Sequence, residues 1–397
     1  MIDYLKLIGR ERELFNADYG AHLLELSNLV RLSKILVIGG AGSIGRSVVY
    51  EMFKLNPSVL HVVDINENGL VELVRGLRST LGYIEGEFKT FAIDCGGKEF
   101  MALMSEKNTR YDYVFNFSAL KHVRGERDPY TLMRMVRVNI LNSIAVLEMP
   151  ACRNLKNYFC VSTDKAANPV NLMGASKRIM EKFLIKESSE RSISMARFAN
   201  VAFSDGSLLD GFSRRISNCQ PLSAPIDVER YFVTFRESAI LCLMSGFLGQ
   251  NREIYFPKLS EEKHLIGFKE IAFRYLESIG YKPHICSSEE EARSSIKDCL
   301  TRRQWPCYFF QSDTTGEKSF EEFYTASEVV NFSKYHEIGL IYLDQKYNES
   351  VLNEFITTIH DLLKRGSWSK YDLTNTFYKV LPDLNYYDSG KYLDEKM

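Results

Sequence analysis

Six short apolar runs separated by amphipathic stretches occupy residues 34–198, and this alternation constrains the fold more than any other feature. The runs at 34–39, 60–64, 88–94, 113–117, 157–162 and 192–198 read as strands. The stretches at 43–55, 70–81, 99–107, 130–148 and 172–186 read as helices. Strands alternating with helices of this length make βαβ units. The predicted fold is α/β, a Rossmann-type doubly wound parallel sheet.

The first predicted strand runs into Gly39-Gly-Ala-Gly-Ser-Ile-Gly45, where Ser43 and Ile44 open the first helix. Glycines at 39, 42 and 45 have the spacing of a dinucleotide turn. The first makes the tight turn, the second lets backbone approach a pyrophosphate, and the third lets helix pack on strand. The helix N-terminus then faces the phosphates. Asp64 ends the second predicted strand, nineteen residues past Gly45. A carboxylate there accepts from the adenosine ribose hydroxyls and repels a 2′-phosphate, which favours NAD over NADP. Asp94, at the end of the third predicted strand, is a candidate for the adenine amino group.

Flanking segments are simpler. Residues 1–32 carry apolar residues at helical spacing and read as a helical N-terminal extension. The nucleotide-binding domain spans 33–200. A smaller substrate-binding lobe, rich in loops and polar turns such as Ser204-Asp-Gly-Ser, spans 201–330 and interleaves with it. A helical C-terminal extension follows over 331–397, with Leu352, Phe355, Ile356, Ile359, Leu362 and Leu363 on one helix face. The net charge of −1 gives no reason to expect a nucleic-acid or acidic-membrane partner. The eight cysteines show no Cys-x-x-Cys pair and no zinc-finger spacing, so reduced thiols and no metal are expected. No run approaches the ~20 apolar residues of a membrane span. The N-terminus lacks the regions of a signal peptide. A soluble, cytoplasmic protein with no membrane partner is expected.

The chemistry lies in Val161-Ser-Thr-Asp-Lys-Ala-Ala-Asn-Pro-Val-Asn-Leu-Met-Gly-Ala-Ser-Lys177. Together with Asn116-Phe-Ser-Ala-Leu-Lys-His-Val123, Asn139, Arg197-Phe-Ala-Asn-Val201 and Arg230-Tyr-Phe232, it resembles the extended short-chain dehydrogenase/reductase superfamily over residues 33–325. More narrowly it resembles the UDP-N-acetylglucosamine 4,6-dehydratases of bacterial surface-glycan biosynthesis. The usual enzyme of that superfamily has a tyrosine four residues before the lysine. Here Met173 precedes Lys177, and a thioether has no titratable proton. One branch of the dehydratases keeps the tyrosine and inverts carbon 5. A second, usually carrying N-terminal membrane helices, has methionine there and retains carbon 5. Met173 places the chain beside the second branch, as a soluble, shortened relative.

The resemblance implies an internal redox cycle on UDP-N-acetylglucosamine with bound NAD: oxidation at carbon 4, loss of water across carbons 5 and 6, and hydride return to carbon 6. It implies roles in catalysis for Thr163, which bonds the 4-oxygen, Asp164, which protonates the departing 6-hydroxyl, and Lys165, which takes the carbon 5 hydrogen. Asp164 would need its pKa raised by burial, and Lys165 would need its pKa lowered by desolvation and by Lys177. Met173 packs beside the reacting groups, and Lys177 holds the nicotinamide ribose. Ser118, Ala119, Lys121 and Asn139 join the cofactor side. Lys121, Thr163, Asn200, Arg230 and Glu317 join the substrate side. A homo-oligomer, dimer or higher, is expected by the same analogy. Two other readings stand beside this one. A UDP-hexosamine 4-epimerase would share the carbon 4 oxidation but needs no acid at carbon 6. A catalytically silent dinucleotide-binding regulator would have no reason to keep Thr163, Asp164, Lys165 and Lys177 together.

Overall fold

In the computed structural model, which describes residues 3–391 apart from 315 and 319, the six apolar runs become six parallel strands. They are β1 (Lys34–Ile38), β2 (Val59–Asp64), β3 (Glu87–Ala92), β4 (Tyr113–Asn116), β5 (Asn157–Thr163) and β6 (Ile193–Phe198). Their spatial order is β3-β2-β1-β4-β5-β6. β4 and β6 are buried at every residue. Helices cover both faces, which is why these runs are continuously apolar rather than alternating. The connection reverses direction between β1 and β4, and such a switch point opens a crevice at the carboxyl ends of the strands.

The sequence predicts that the strand pattern gives way to a lobe after residue 200, and here the structure differs. The two-residue β7 (Asn200–Val201), β8 (Leu222–Pro225) and β9 (Glu229–Val233) do leave the main sheet. But β10 (Glu253–Pro257) pairs in parallel with β6. With β11 (Leu265–Gly267), β12 (Lys282–Cys286) and β13 (Gln304–Phe310) in the lobe, the chain then returns as β14 (Val329–Asn331) and β15 (Ile338–Tyr342). β15 runs antiparallel to β10, which completes a nine-stranded sheet. The segment beyond 330, read as helical, therefore begins with strand. These late strands lie far apart in sequence, so no local period links them. The lobe keeps its own apolar cluster around Phe212, Ile271, Leu276 and Trp305.

The helix expected over 130–148 is interrupted. Pro129–Val136 passes through a π-helical turn, Arg137–Leu141, into Asn142–Glu148. Such bulges are frequent at functional sites. This one turns Asn139 inward, fully buried. Its Oδ1 accepts from the Leu120 N–H (2.8 Å), and its Nδ2 donates to the Leu120 carbonyl (3.0 Å) and Ser176 Oγ (2.9 Å).

Both extensions are clamped to the domain. The fully buried Glu237 accepts from the Leu14 N–H at 2.7 Å and from both Arg10 guanidinium tips at 2.8 and 2.6 Å. At the other end, Leu352, Phe355, Ile359 and Leu362 are buried, with Ile356 and Leu363 half-buried beside them. Phe355 meets Phe183 on helix Leu172–Glu187 with ring centroids 5.7 Å apart. A buried ion network ties the same helix to the start of β14. Arg197, fully buried on β6, contacts Glu181 at 2.7 Å and Glu328 at 2.8 Å. Among the described residues no helix is long and apolar enough to cross a membrane.

Candidate active site

The glycine turn sits at the carboxyl end of β1, and each glycine meets a different demand. Gly39 has φ +77°, and a Cβ there would lie 2.8 Å from the Phe117 carbonyl carbon and the Ser118 nitrogen. At Gly45 a Cβ would meet the Gly39 oxygen at 2.2 Å. These two are required by the chain itself. Gly42 is not: a Cβ there would only touch the Gly39 oxygen at 3.5 Å. Gly42 also caps helix Ser43–Lys54 without a side chain, so the first N–H groups of that helix keep their capacity for a ligand.

Asp64, half-buried at the end of β2, accepts from the Ala41 N–H with Oδ2 and from the Asn66 N–H with Oδ1, each at 2.9 Å. A carboxylate has about four lone-pair sites, so acceptor capacity is left for a ribose. Asp94 fits its expected place less well. The third strand stops at Ala92, and Asp94 lies exposed beyond it, capping the Gly96 N–H at 2.8 Å. Ser118 and Ala119 follow β4 and are half-buried, while Lys121 is exposed. Asn139 reaches Leu120 rather than the crevice, so it shapes this loop from behind. Ile44 packs partly buried against the core, and Ser43 faces the lobe. Ser43 Oγ donates to Asp205 at 2.8 Å, and Arg46 pairs with the same carboxylate at 3.5 Å. An acid at a helix N-terminus is favoured by the helix dipole.

Thr163, Asp164 and Lys165 leave the carboxyl end of β5. Thr163 Oγ1 donates to Asp164 Oδ1 at 2.8 Å. The same oxygen accepts from the Lys165 backbone N–H at 2.8 Å and from Lys165 Nζ at 3.1 Å. Lys165 Nζ also lies 3.4 Å from Asn200 Oδ1, at the start of β7, and 3.8 Å from Glu321 Oε1. Asp164 and Glu321 are each 3% exposed. Burial alone would depress the Lys165 pKa, but Asp164 and Glu321 outweigh it and hold the ammonium above its ordinary value. The expectation of a lowered Lys165 pKa is thereby corrected: two carboxylates face it. Lys177 is turned elsewhere, donating to the Val161 carbonyl at 3.0 Å, with its own pKa pushed down by burial. In this arrangement Lys177 braces the end of β5. Met173 is buried in the first turn of its helix, where its N–H and that of Leu172 donate to Glu126 Oε2 at 3.3 and 2.7 Å.

On the substrate side, Arg230 is buried and donates to the Glu229 and Lys318 carbonyls at 2.8 and 2.9 Å. It pairs with Glu317 at 3.2 Å, and Glu317 also accepts from Thr314 at 2.6 Å. The two residues thus tie Thr314, Glu317 and Lys318 to β9 beside Lys165. Sequence reasoning stopped at Glu317 and missed Glu321, four residues on. The Glu-x-x-x-Glu spacing was the available signal. Asp205 and Glu126 had none, since only the fold carries them to helix N-termini.

The family model described as polysaccharide biosynthesis protein matches residues 35–342. An uncharacterized membrane protein of Methanocaldococcus jannaschii is 30% identical over 80% of this chain and 88% of its own length. The capsular polysaccharide biosynthesis protein CapD of Staphylococcus aureus is 27% identical over 94% of this chain, which spans only 55% of that protein. An inverting UDP-N-acetylglucosamine 4,6-dehydratase of Campylobacter jejuni is 26% identical over 58% of this chain and 68% of its own length. Among solved structures, Pen from Bacillus thuringiensis superposes with a TM-score of 0.63 at 19% identity, covering 83% of this chain and 98% of that one.

Proposed function

The chain belongs to the polysaccharide biosynthesis protein family, and from that premise we propose that it is a UDP-N-acetylglucosamine 4,6-dehydratase that retains carbon 5. One observation carries the reading. Thr163, Asp164 and Lys165 stand with Asn200 on the carboxyl edge of the sheet, while the place of the usual phenol is filled by a buried Met173. A kinship to the inverting dehydratase of Campylobacter jejuni supports the substrate class.

The cradle fits NAD. Gly39 and Gly45 exclude side chains, Gly42 would leave room for a diphosphate at a helix start without a side-chain cap, and Asp64 would accept from a 2′-hydroxyl and repel a 2′-phosphate. NAD, when bound, supplies the hydride acceptor for carbon 4 and the donor for carbon 6. The chain's own residues then manage protons. The 4-hydroxyl donates to Thr163 Oγ1 while Thr163 passes its proton along the 2.8 Å contact to Asp164. Asp164, now neutral, gives that proton to the 6-hydroxyl as it departs, and water is released. Lys165, as a free amine, takes the carbon 5 proton, and the ammonium, whose protons exchange with water, later delivers one back. A single base on one face of the ring delivers a proton to the side from which it took one, which is retention.

The test is purified protein with NAD and UDP-N-acetylglucosamine, read by mass spectrometry and by NMR in deuterated water. Loss of one water with carbon 5 deuterated and its configuration retained is the expected result. An unchanged mass with carbon 4 inverted would replace the reading by a 4-epimerase. No turnover of any UDP-hexosamine would leave only a silent binding protein.

A further inference from the structure

The proposed chemistry needs Lys165 as an amine, yet its surroundings hold it as an ammonium. An ammonium has no lone pair and accepts nothing. The proton has to rest somewhere close, because Asp164 and Glu321 are almost fully buried and the Lys165 side chain is 17% exposed. Among the described residues two carboxylates lie within 4 Å of Lys165 Nζ, Asp164 at 3.1 Å and Glu321 at 3.8 Å. Asp164 Oδ1 already accepts from Thr163, from the Lys165 N–H and from Lys165 Nζ, and in the relay it is committed to the proton of the 4-hydroxyl. Glu321 is different. Its Oε1 stands 3.8 Å from Lys165 Nζ, and its Oε2 stands 3.8 Å from Lys318 Nζ, with no hydrogen-bond partner among the described residues.

We infer that Glu321 is the proton partner of Lys165, a positioning residue that frees the lysine amine by taking one of its protons. The inference rests on the reading of Lys165 as the carbon 5 base. In the step, Lys165 Nζ closes from 3.8 Å to hydrogen-bond distance of Glu321, one N–H bond of the ammonium breaks and an O–H bond forms on Glu321. A cation and an anion become two neutral groups, so no net charge is created in the buried site. Lys165 then takes the carbon 5 proton while the C–H electron pair stays on the sugar. The ammonium delivers a proton back to carbon 5 when carbon 6 is reduced, and Glu321 afterwards gives its own proton back. Burial favours the neutral carboxyl at Glu321 and raises its pKa, in keeping with the geometry. Lys318 and Arg230 oppose that shift, while Asp164 adds to it.

The test is the pH profile of turnover for the full chain with NAD and UDP-N-acetylglucosamine, comparing the natural protein with Glu321→Gln. Without the carboxyl the amine forms only by losing a proton to solvent, and an ordinary lysine does so near pH 10.4. Turnover by Glu321→Gln at pH 7 should fall at least about tenfold, with KM changed less than about threefold. It should then climb with pH by up to about tenfold per unit toward pH 9. Glu321→Asp keeps a carboxyl and should show reduced turnover with the natural profile. It carries the test if the Gln variant does not fold, and an alkaline-shifted Asp variant would count against the inference. A Gln variant whose profile keeps its natural shape, at full rate or uniformly lowered, overturns it. Lys165→Ala separates the two levels. If that variant keeps full turnover, the base assignment itself has failed. If it is inactive while Glu321→Gln keeps the natural profile, only the role of Glu321 has failed.

Discussion

Glycines 42 and 45 lie three residues apart in one turn, yet alanine at each should do opposite things. At Gly45 the added Cβ would sit 2.2 Å from the Gly39 oxygen and 2.8 Å from the Gly40 Cα. Both are backbone atoms, so no side chain can swing aside, and the strand-to-helix junction must open by about 1 Å. Overpacking of this kind costs roughly 1–3 kcal/mol. Mid-sized domains lose about 2–4 °C of melting temperature per kcal/mol, so Gly45→Ala should melt at least about 2 °C lower without any ligand. At Gly42 the backbone is at φ −70°, ψ 166°, open to any residue, and the nearest atom to a Cβ is 3.5 Å away. Replacing glycine by alanine at an N-cap costs roughly 0.5–1 kcal/mol, the alanine penalty less the few tenths that glycine itself costs. The lost freedom of the unfolded chain returns about 0.4–1 kcal/mol. The two offset, and the ligand-free protein should melt within about 1 °C of the natural one.

Binding should reverse the order of interest. If a diphosphate lies against Gly42, a methyl group there pushes it from the helix N–H groups, and a tenfold weaker Kd corresponds to about 1.4 kcal/mol. NAD titrations by calorimetry, with melting curves before and after saturation, read both quantities. Gly42→Ala should be stable and bind NAD at least about tenfold more weakly. If it binds NAD as the natural protein does, the phosphates are not at this turn. If it melts as low as Gly45→Ala, the contacts described for the turn are wrong.

Other perturbations address the rest of the molecule. Thr163→Val removes the hydroxyl between the 4-oxygen and Asp164, and should lower turnover by about 10²-fold or more while a kinetic isotope effect from deuterium at carbon 4 grows; an unchanged rate and isotope effect would remove Thr163 from the relay. Arg197 beside Glu328 holds that carboxyl down to about 2 from 4.5, so its contribution of roughly 3 kcal/mol is present above pH 4.5 and lost as pH falls toward 2; Glu328→Gln should destabilise the protein at pH 7 by about that much, with the gap to the natural protein narrowing below pH 4. Glu126 has the opposite sign: burial raises its pKa to about 7, so the stability linked to it is full below pH 4.5 and is lost as pH rises through 7. The natural protein should therefore lose melting temperature between about pH 4.5 and 7 and level off above, and Glu126→Gln should flatten that fall.

The parts of the fold legible in the sequence were those with a local period. The six parallel strands and the glycine turn repeat a pattern within each few dozen residues, and pattern reading found them. β10 and β15 lie more than 80 residues apart and pair only because β6 leaves a sheet edge to cover. Nothing local marks them as partners. The π turn at Asn139 was hidden for a related reason: it inserts one residue into a helix whose apolar spacing on either side is ordinary. Asn139 could be picked out as a residue of the site, but whether its amide meets a cofactor or the Leu120 backbone depends on that single inserted residue.

The site itself shows where residue identity stops being enough. Thr163, Asp164 and Lys165 can be named from the sequence because their chemistry is local to three consecutive residues. Their protonation is not local. A neighbouring cation, Lys177, was the expected means of lowering the Lys165 pKa, but Lys177 is spent on the Val161 carbonyl, and the groups that reach Lys165 are anions. The difference changes the problem the enzyme has to solve. With a cation beside it, Lys165 would rest as an amine and wait for substrate. Between two carboxylates it rests charged, and the amine appears only when a proton moves within the site. Met173 fits the second arrangement. A phenol would bring a further titratable group into a cluster whose charges already balance closely. A buried thioether adds no titratable proton, and in the proposed mechanism that leaves the count of protons to Thr163, Asp164, Lys165 and Glu321.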